Sequence, residues 1–200
     1  MNTAAIRSLL ATYLLWLCSP AFAAADGSQL QLPTGVDLAV VVFEDLQCPD
    51  CARAHPQLLQ VSEALEVPLV IHDFPITRHV WAFPAAILAR YFAAQSPALA
   101  VEFRSFIFRN QRDVKPDNLR QFGEQFAQQH RVALPADADP DGKLQAQVQA
   151  DFDLGMQIKL EYVPLIFVIA RDGKASRAVE VTDISQLGDA IAQVRQHSAR

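Results

Sequence analysis

Leu38-Ala39-Val40-Val41-Val42-Phe43, followed after Glu44-Asp45-Leu46-Gln47 by Cys48-Pro49-Asp50-Cys51, is the stretch on which the fold turns. The first six residues form a continuous β-branched and aromatic run, which reads as a buried strand. Pro49 suits the first turn of a helix, where its missing N–H removes a donor that would be unpaired anyway. A thiol at a helix start meets exposed N–H groups and the positive end of the macrodipole, and both favour thiolate. Strand, loop and a Cys-x-x-Cys helix start therefore suggest a redox-active dithiol.

Outward from this stretch, the elements alternate. A helix is expected from Pro49 to about Leu65, kinked at Pro56, where a backbone hydrogen bond is lost. Val67 to Phe74 reads as a second strand ending at Pro75, and strand–helix–strand favours a parallel pair with a right-handed crossover. Val80–Phe92, Ala98–Phe108, Asn118–Gln129 and Gly142–Met156 then carry apolar residues at helical spacing. They predict a helical insertion over about 78–157, with breaks at Asp113–Pro116 and Leu134–Asp141. Tyr162–Ala170 and Arg177–Val181 read as strands joined by the turn Arg171-Asp172-Gly173-Lys174. Asp183 with Gln186 looks like a capping box opening a last helix, whose apolar face is Ile184, Leu187, Ile191 and Val194. Ahead of the first strand, Ala24–Gly35 is polar and loop-like, with room for a short edge strand at Gln29–Leu32. The expected class is α/β, a central mixed sheet flanked by helices.

Residues 1–23 read as a cleavable signal peptide: a single charge at Arg7, a short apolar core from Ser8 to Cys18, and Pro20 before Ala21-Phe22-Ala23. Eleven residues are few for a bilayer span. Lipidation at Cys18 is the alternative, and bulky Leu17 before it speaks against that. Residues 24–200 would then be one domain of about 177 residues, carrying Cys48 and Cys51 but not the third cysteine. With 51% apolar and 20% charged residues the chain is globular in composition. Its net charge is −5 and its basic residues are not clustered, which points away from nucleic acid and anionic membrane surfaces. A disulfide closing so small a loop constrains the unfolded chain little, so a staple explains the pair poorly. Half of a zinc site is the other use of the spacing, with His55 and His72 completing it.

Phe43-Glu44-Asp45-Leu46-Gln47-Cys48-Pro49-Asp50-Cys51, with His55-Pro56 behind it, Asp73-Phe74-Pro75 after the second strand and Val163-Pro164 before the third, resembles the DsbA-like thiol oxidoreductases of the thioredoxin-fold superfamily. The resemblance covers nearly all of residues 24–200 and implies a thioredoxin fold with a helical insertion. It implies Cys48 as nucleophile and Cys51 as resolving thiol, exchanging disulfides with cysteine-containing proteins of a periplasm, without a bound cofactor. It also implies a cis Pro164 against the dithiol, with the backbone of Val163 offered to a substrate strand, and a membrane redox partner for a monomeric protein. Many relatives carry a buried carboxylate six residues before the first cysteine; here that residue is Val42. Glu44 shares its strand parity and is the candidate for proton transfer, with a solvated acid as the alternative, while Asp45 matches an acid that shapes the loop.

Direction is open at this point. Val163 is the residue expected of a disulfide donor. Asp50, at about 7 Å from Cys48, would oppose its thiolate by roughly 0.5–2 kcal/mol and favour a reductase fed by a membrane electron donor. A non-catalytic peptide- or metal-binding module is the further alternative. His72 reads as a sheet residue, His55 as either site-adjacent or packing, and His79, His130 and His197 as ordinary surface groups. Trp81, Phe83, Phe92, Phe103, Phe106, Phe108, Phe122 and Phe126 read as packing for the insertion.

Overall fold

The computed structural model of the protein describes residues 27–172 and 175–198. The signal-peptide reading, Cys18 and the tip of the expected hairpin turn lie outside those residues. Strand β1 (Leu38–Glu44) leads into helix α1 (Pro49–Ala64) and strand β2 (Leu69–Asp73). Four helices follow: α2 (Ala82–Gln95), α3 (Pro97–Asn110), α4 (Leu119–His130) and α5 (Lys143–Gln157). Strands β3 (Leu165–Asp172) and β4 (Ala175–Val181) and helix α6 (Leu187–Ser198) complete the chain. The sheet order is β2-β1-β3-β4. β1 pairs parallel with β2 and antiparallel with β3, and β4 runs antiparallel to β3.

The continuous apolar run of β1 is explained by cover on both faces. Val40 and Val42 point into a core shared with Leu58 of α1 and Leu187, Ile191 and Val194 of α6. Val41 and Phe43 point the other way, into a core built with the insertion. There Phe92, Phe103 and Phe126 meet edge-on or tilted at centroid distances of 4.8 to 5.2 Å, and each is buried. Such geometries suit the aromatic quadrupole. Glu44 ends β1 on the same side of the strand as Val42, which directs its carboxylate toward α1.

Two local expectations are corrected. The segment at Gln29–Leu32 is not a strand: a 3-10 turn spans Gly27–Gln29 and buries Leu30. Gly27 lies so close to the sheet that a Cβ there would meet the Ala178 Cβ at 2.6 Å. The box at Asp183 does not open α6 directly. Asp183 accepts hydrogen bonds from the Ser185 N–H at 2.9 Å and the Ser185 hydroxyl at 2.8 Å, closing a 3-10 turn over Ile184–Gln186. A side-chain bond two residues on competes with the longer-range cap. Helix α1 runs as one element through Pro56.

Candidate active site

Cys48 is the N-cap of α1, in extended backbone with Pro49 beginning the helix. Its carbonyl accepts the Ala52 N–H at 3.1 Å and its own N–H donates to the Asp45 carbonyl at 3.0 Å. Cys51 lies one turn inward. Both thiols are free, with Cys48 6% and Cys51 1% exposed. The Asp45 N–H donates to Cys51 Sγ at 3.4 Å. The Val163–Pro164 peptide is cis, and the Val163 carbonyl faces Cys48 Sγ at 3.7 Å.

The two thiols are driven apart in acidity. Cys48 is pushed down to about 6, first by the hydrogen bond from the Cys51 thiol and then by the Cys51 N–H, against its partial burial. The Asp45 charge raises it and His79 lowers it. Cys51 moves strongly upward, through burial above all, then through its bond to Cys48 and the negative charge of Glu44. One sulfur is therefore a thiolate near neutral pH, and the other keeps its proton.

Glu44 is not a solvated acid. It is 2% exposed, accepts Nδ1–H of His55 at 3.2 Å and accepts Arg104 at 3.0 Å. Burial works to raise its carboxyl, but His55 and Arg104 outweigh it and hold the group below its ordinary value. Arg104, itself buried, donates to Asp73 at 2.5 Å. Arg90 continues the chain to Asp73 at 2.6 Å and to Asp151, which also accepts His72 Nδ1 at 2.6 Å. His72 stacks on Phe43, and His55 Nε2 meets the Ser105 hydroxyl at 3.1 Å. His55 and His72 are thus engaged elsewhere than a zinc set would need. Among the described residues, no three His, Cys, Asp or Glu side chains lie close enough to hold a metal ion.

Asp45 shapes the loop, as its position implies. Its carboxylate accepts the Gln47 N–H at 2.6 Å, the Ile76 N–H at 2.7 Å and His79 Nδ1 at 2.8 Å. Burial raises its pKa against these bonds. His79 is therefore no ordinary surface group; its side chain is 15% exposed and tied to the dithiol loop. Gln47 accepts the Trp81 N–H at 2.9 Å, and Gln111 donates to the Leu46 and Cys48 carbonyls at 2.8 and 3.0 Å. Asp50 is the exposed partner of Arg53 one turn on, and the carboxylate that opposes the Cys48 thiolate is Asp45. Beside the dithiol, a groove of about 510 Å³ is lined by Asp50, Arg53, Tyr162, Val163 and Pro164, among others.

The sequence assigns no role to Arg104, Gln47 or Gln111, and His79 reads there as a surface group. Arg104 carries a signal in hindsight, a lone charge inside the apolar helix segment Phe103-Arg104-Ser105-Phe106-Ile107-Phe108. His79 and Gln111 reach the site from segments remote in sequence and carry none.

A family model described as thioredoxin matches residues 37–187. The chain belongs to the thioredoxin family. Among solved structures, alpha-DsbA1 of Wolbachia pipientis is similar at a TM-score of 0.66 and 15% identity, over 88% of this chain and 98% of that one. The thiol-disulfide exchange protein alpha-DsbA2 of the same organism is similar at 0.64 and 14%, over 81% and 84%. Pseudomonas aeruginosa DsbA2 is similar at 0.59 and 18%, over 82% and 97%. No curated protein matches the sequence. The fold is thus the DsbA-like form of the thioredoxin fold, with the four-helix insertion in place. No described helix is long and apolar enough to cross a membrane.

Proposed function

We propose that this chain is a thiol–disulfide oxidoreductase that passes its Cys48–Cys51 disulfide to cysteine-containing proteins of the cell envelope. The observation that carries the reading is the inequality of the two thiols: Cys48 at a helix tip with its pKa pushed down to about 6, Cys51 buried and raised. A substrate thiolate attacks Cys48 Sγ; the Cys48–Cys51 bond breaks, and Cys51 leaves with the electron pair and takes up a proton. The Asp45 N–H supports the departing sulfur. A second substrate thiolate then attacks the substrate sulfur of the mixed disulfide and releases Cys48 as thiolate. The substrate has lost two electrons and the protein dithiol has gained them.

The depressed Cys48 pKa supports the donor direction, because a stabilised thiolate favours the reduced protein and makes its disulfide more oxidising. A quinone-linked membrane oxidase would restore the disulfide, and Glu44 is the residue through which a proton could reach Cys51. The groove beside Val163 and Pro164 is the surface offered to a substrate strand. The expected leader at residues 1–23 would place the protein in the periplasm.

Reduced-substrate oxidation and insulin reduction, with wild type and Cys48→Ser, test the activity, and the reduction potential against glutathione tests the direction. Oxidation lost in Cys48→Ser and a potential above that of glutathione are expected. A potential below glutathione would replace the donor with a reductase, and a wild type inactive in both assays would leave a binding module.

A further inference from the structure

Asp45 touches every part of the dithiol loop. Its carbonyl accepts the Cys48 N–H, its N–H donates to Cys51 Sγ, and its carboxylate is buried against His79. A buried carboxylate so near a thiolate is unfavourable unless a cation balances it. The dipeptide between the cysteines supplies none, since Pro49 is neutral and Asp50 is an acid paired outward with Arg53. Among the described residues, Asp45 raises the Cys48 pKa through its charge and His79 lowers it.

We propose that His79, held on Asp45 from the loop between β2 and α2, is a positioning residue that sets how readily Cys48 exists as thiolate, and hence how oxidising the disulfide is. The inference rests on Cys48 being the attacking thiol. His79 is aimed by fixed contacts. The His79 N–H bonds to the Ile76 carbonyl at 2.7 Å, and the Ile76 N–H bonds to the same Asp45 carboxylate at 2.7 Å. Residue 81 is pinned by Gln47. His79 lines a pocket together with Pro75, Ile76, Thr77, Val80, Phe83 and, from α5, Gln149 and Phe152. None of these is charged, and the acid that His79 contacts is Asp45, at 2.8 Å. The imidazole offsets part of the Asp45 charge at Cys48, and without the ring the Asp45 charge acts alone.

The test is the pH profile of iodoacetamide alkylation of the reduced full-length protein, read with the reduction potential against glutathione and with thermal melts. His79→Gln is expected to raise the Cys48 midpoint from about 6 by about 0.5–1 unit, a roughly 3- to 10-fold loss of thiolate at low pH. The potential should fall by up to about 30 mV for a tenfold change. Asp45→Asn should move the midpoint down, and His79→Lys, which keeps a cation, should hold it nearer to wild type than His79→Gln does. A purely structural bond would move the melts and not separate the midpoints by charge. A His79→Gln protein that melts like wild type and keeps its midpoint overturns the proposal, as does a shift of the same sign in His79→Gln and Asp45→Asn. An inactive wild type in the insulin and oxidation assays would sink the exchange reading alone, because alkylation needs no turnover.

Discussion

Glu44 and Asp45 are neighbours in sequence just ahead of one dithiol, yet their surroundings move their acidities in opposite directions. Glu44 sits under Cys51 in a layer of full ion pairs running through Arg104, Asp73, Arg90 and Asp151. Asp45 sits beside Cys48 in a layer of backbone N–H groups and one histidine. The first layer answers buried charge with guanidinium, which helps hold Glu44 and Asp151 below their ordinary values. The second answers it with dipoles and a titratable ring, which leaves burial the upper hand. The lesson is functional: the Glu44 charge adds to the burial that keeps Cys51 protonated, while the Asp45 charge, opposed by His79, works against a Cys48 thiolate that the Cys51 hydrogen bonds sustain.

The largest way to break the comparison is Arg104→Met. Removing the guanidinium leaves buried Glu44 with His55 and Asp73 with Arg90 as their remaining side-chain partners, and a loss of about 3 kcal/mol is expected in urea unfolding. A loss under about 1 kcal/mol would mean the layer is not held by its charges.

The acid limb of stability sharpens the comparison next. Glu44 is held below its ordinary 4.5, so the unfolded chain binds its proton first and stability from this group is lost as pH falls below about 4.5. Glu44→Gln should flatten that limb. Asp45 has the opposite sign: it is raised above its ordinary 3.8, so its folded form takes the proton first and resists acid. Asp45→Asn should therefore steepen the limb, read by denaturation midpoints between about pH 3 and 6. Two variants with the same change of slope would remove the distinction between the layers.

The smallest effect is expected at Asp50, the acid that spacing alone would select. Because Asp50 is exposed and paired with Arg53, solvent and its partner screen it. Asp50→Asn should move the Cys48 alkylation midpoint by less than about half the shift of His79→Gln. A larger shift would return control of the thiolate to the motif itself.

Much of the fold was legible. The run Leu38–Phe43, the helix start at Pro49, the second strand and the four helical segments of the insertion all follow from hydrophobic period and breakers, because those signals are local. The turn at Asp183 was misplaced because Ser185, two residues on, offers its carboxylate a nearer donor than the expected cap. Of the site, Cys48 and Cys51 were visible from spacing, and Glu44 only through the family resemblance, by its strand parity with Val42. The ion pairs that decide what Glu44 is were not, since Arg104 lies 60 residues away in sequence. His79 looked like a surface residue because no pattern in its own loop announces a partner 34 residues earlier.

By itself the sequence determined which sulfurs meet and on what element. A strand buried on both faces ends in a loop, and proline starts a helix with one cysteine at its tip and another a turn inward. The acidity of each sulfur was decided only by the tertiary structure. Electrostatic energy depends on distance and desolvation, and the groups that matter, Glu44 with Arg104 and Asp45 with His79, are brought together by packing and not by chain order.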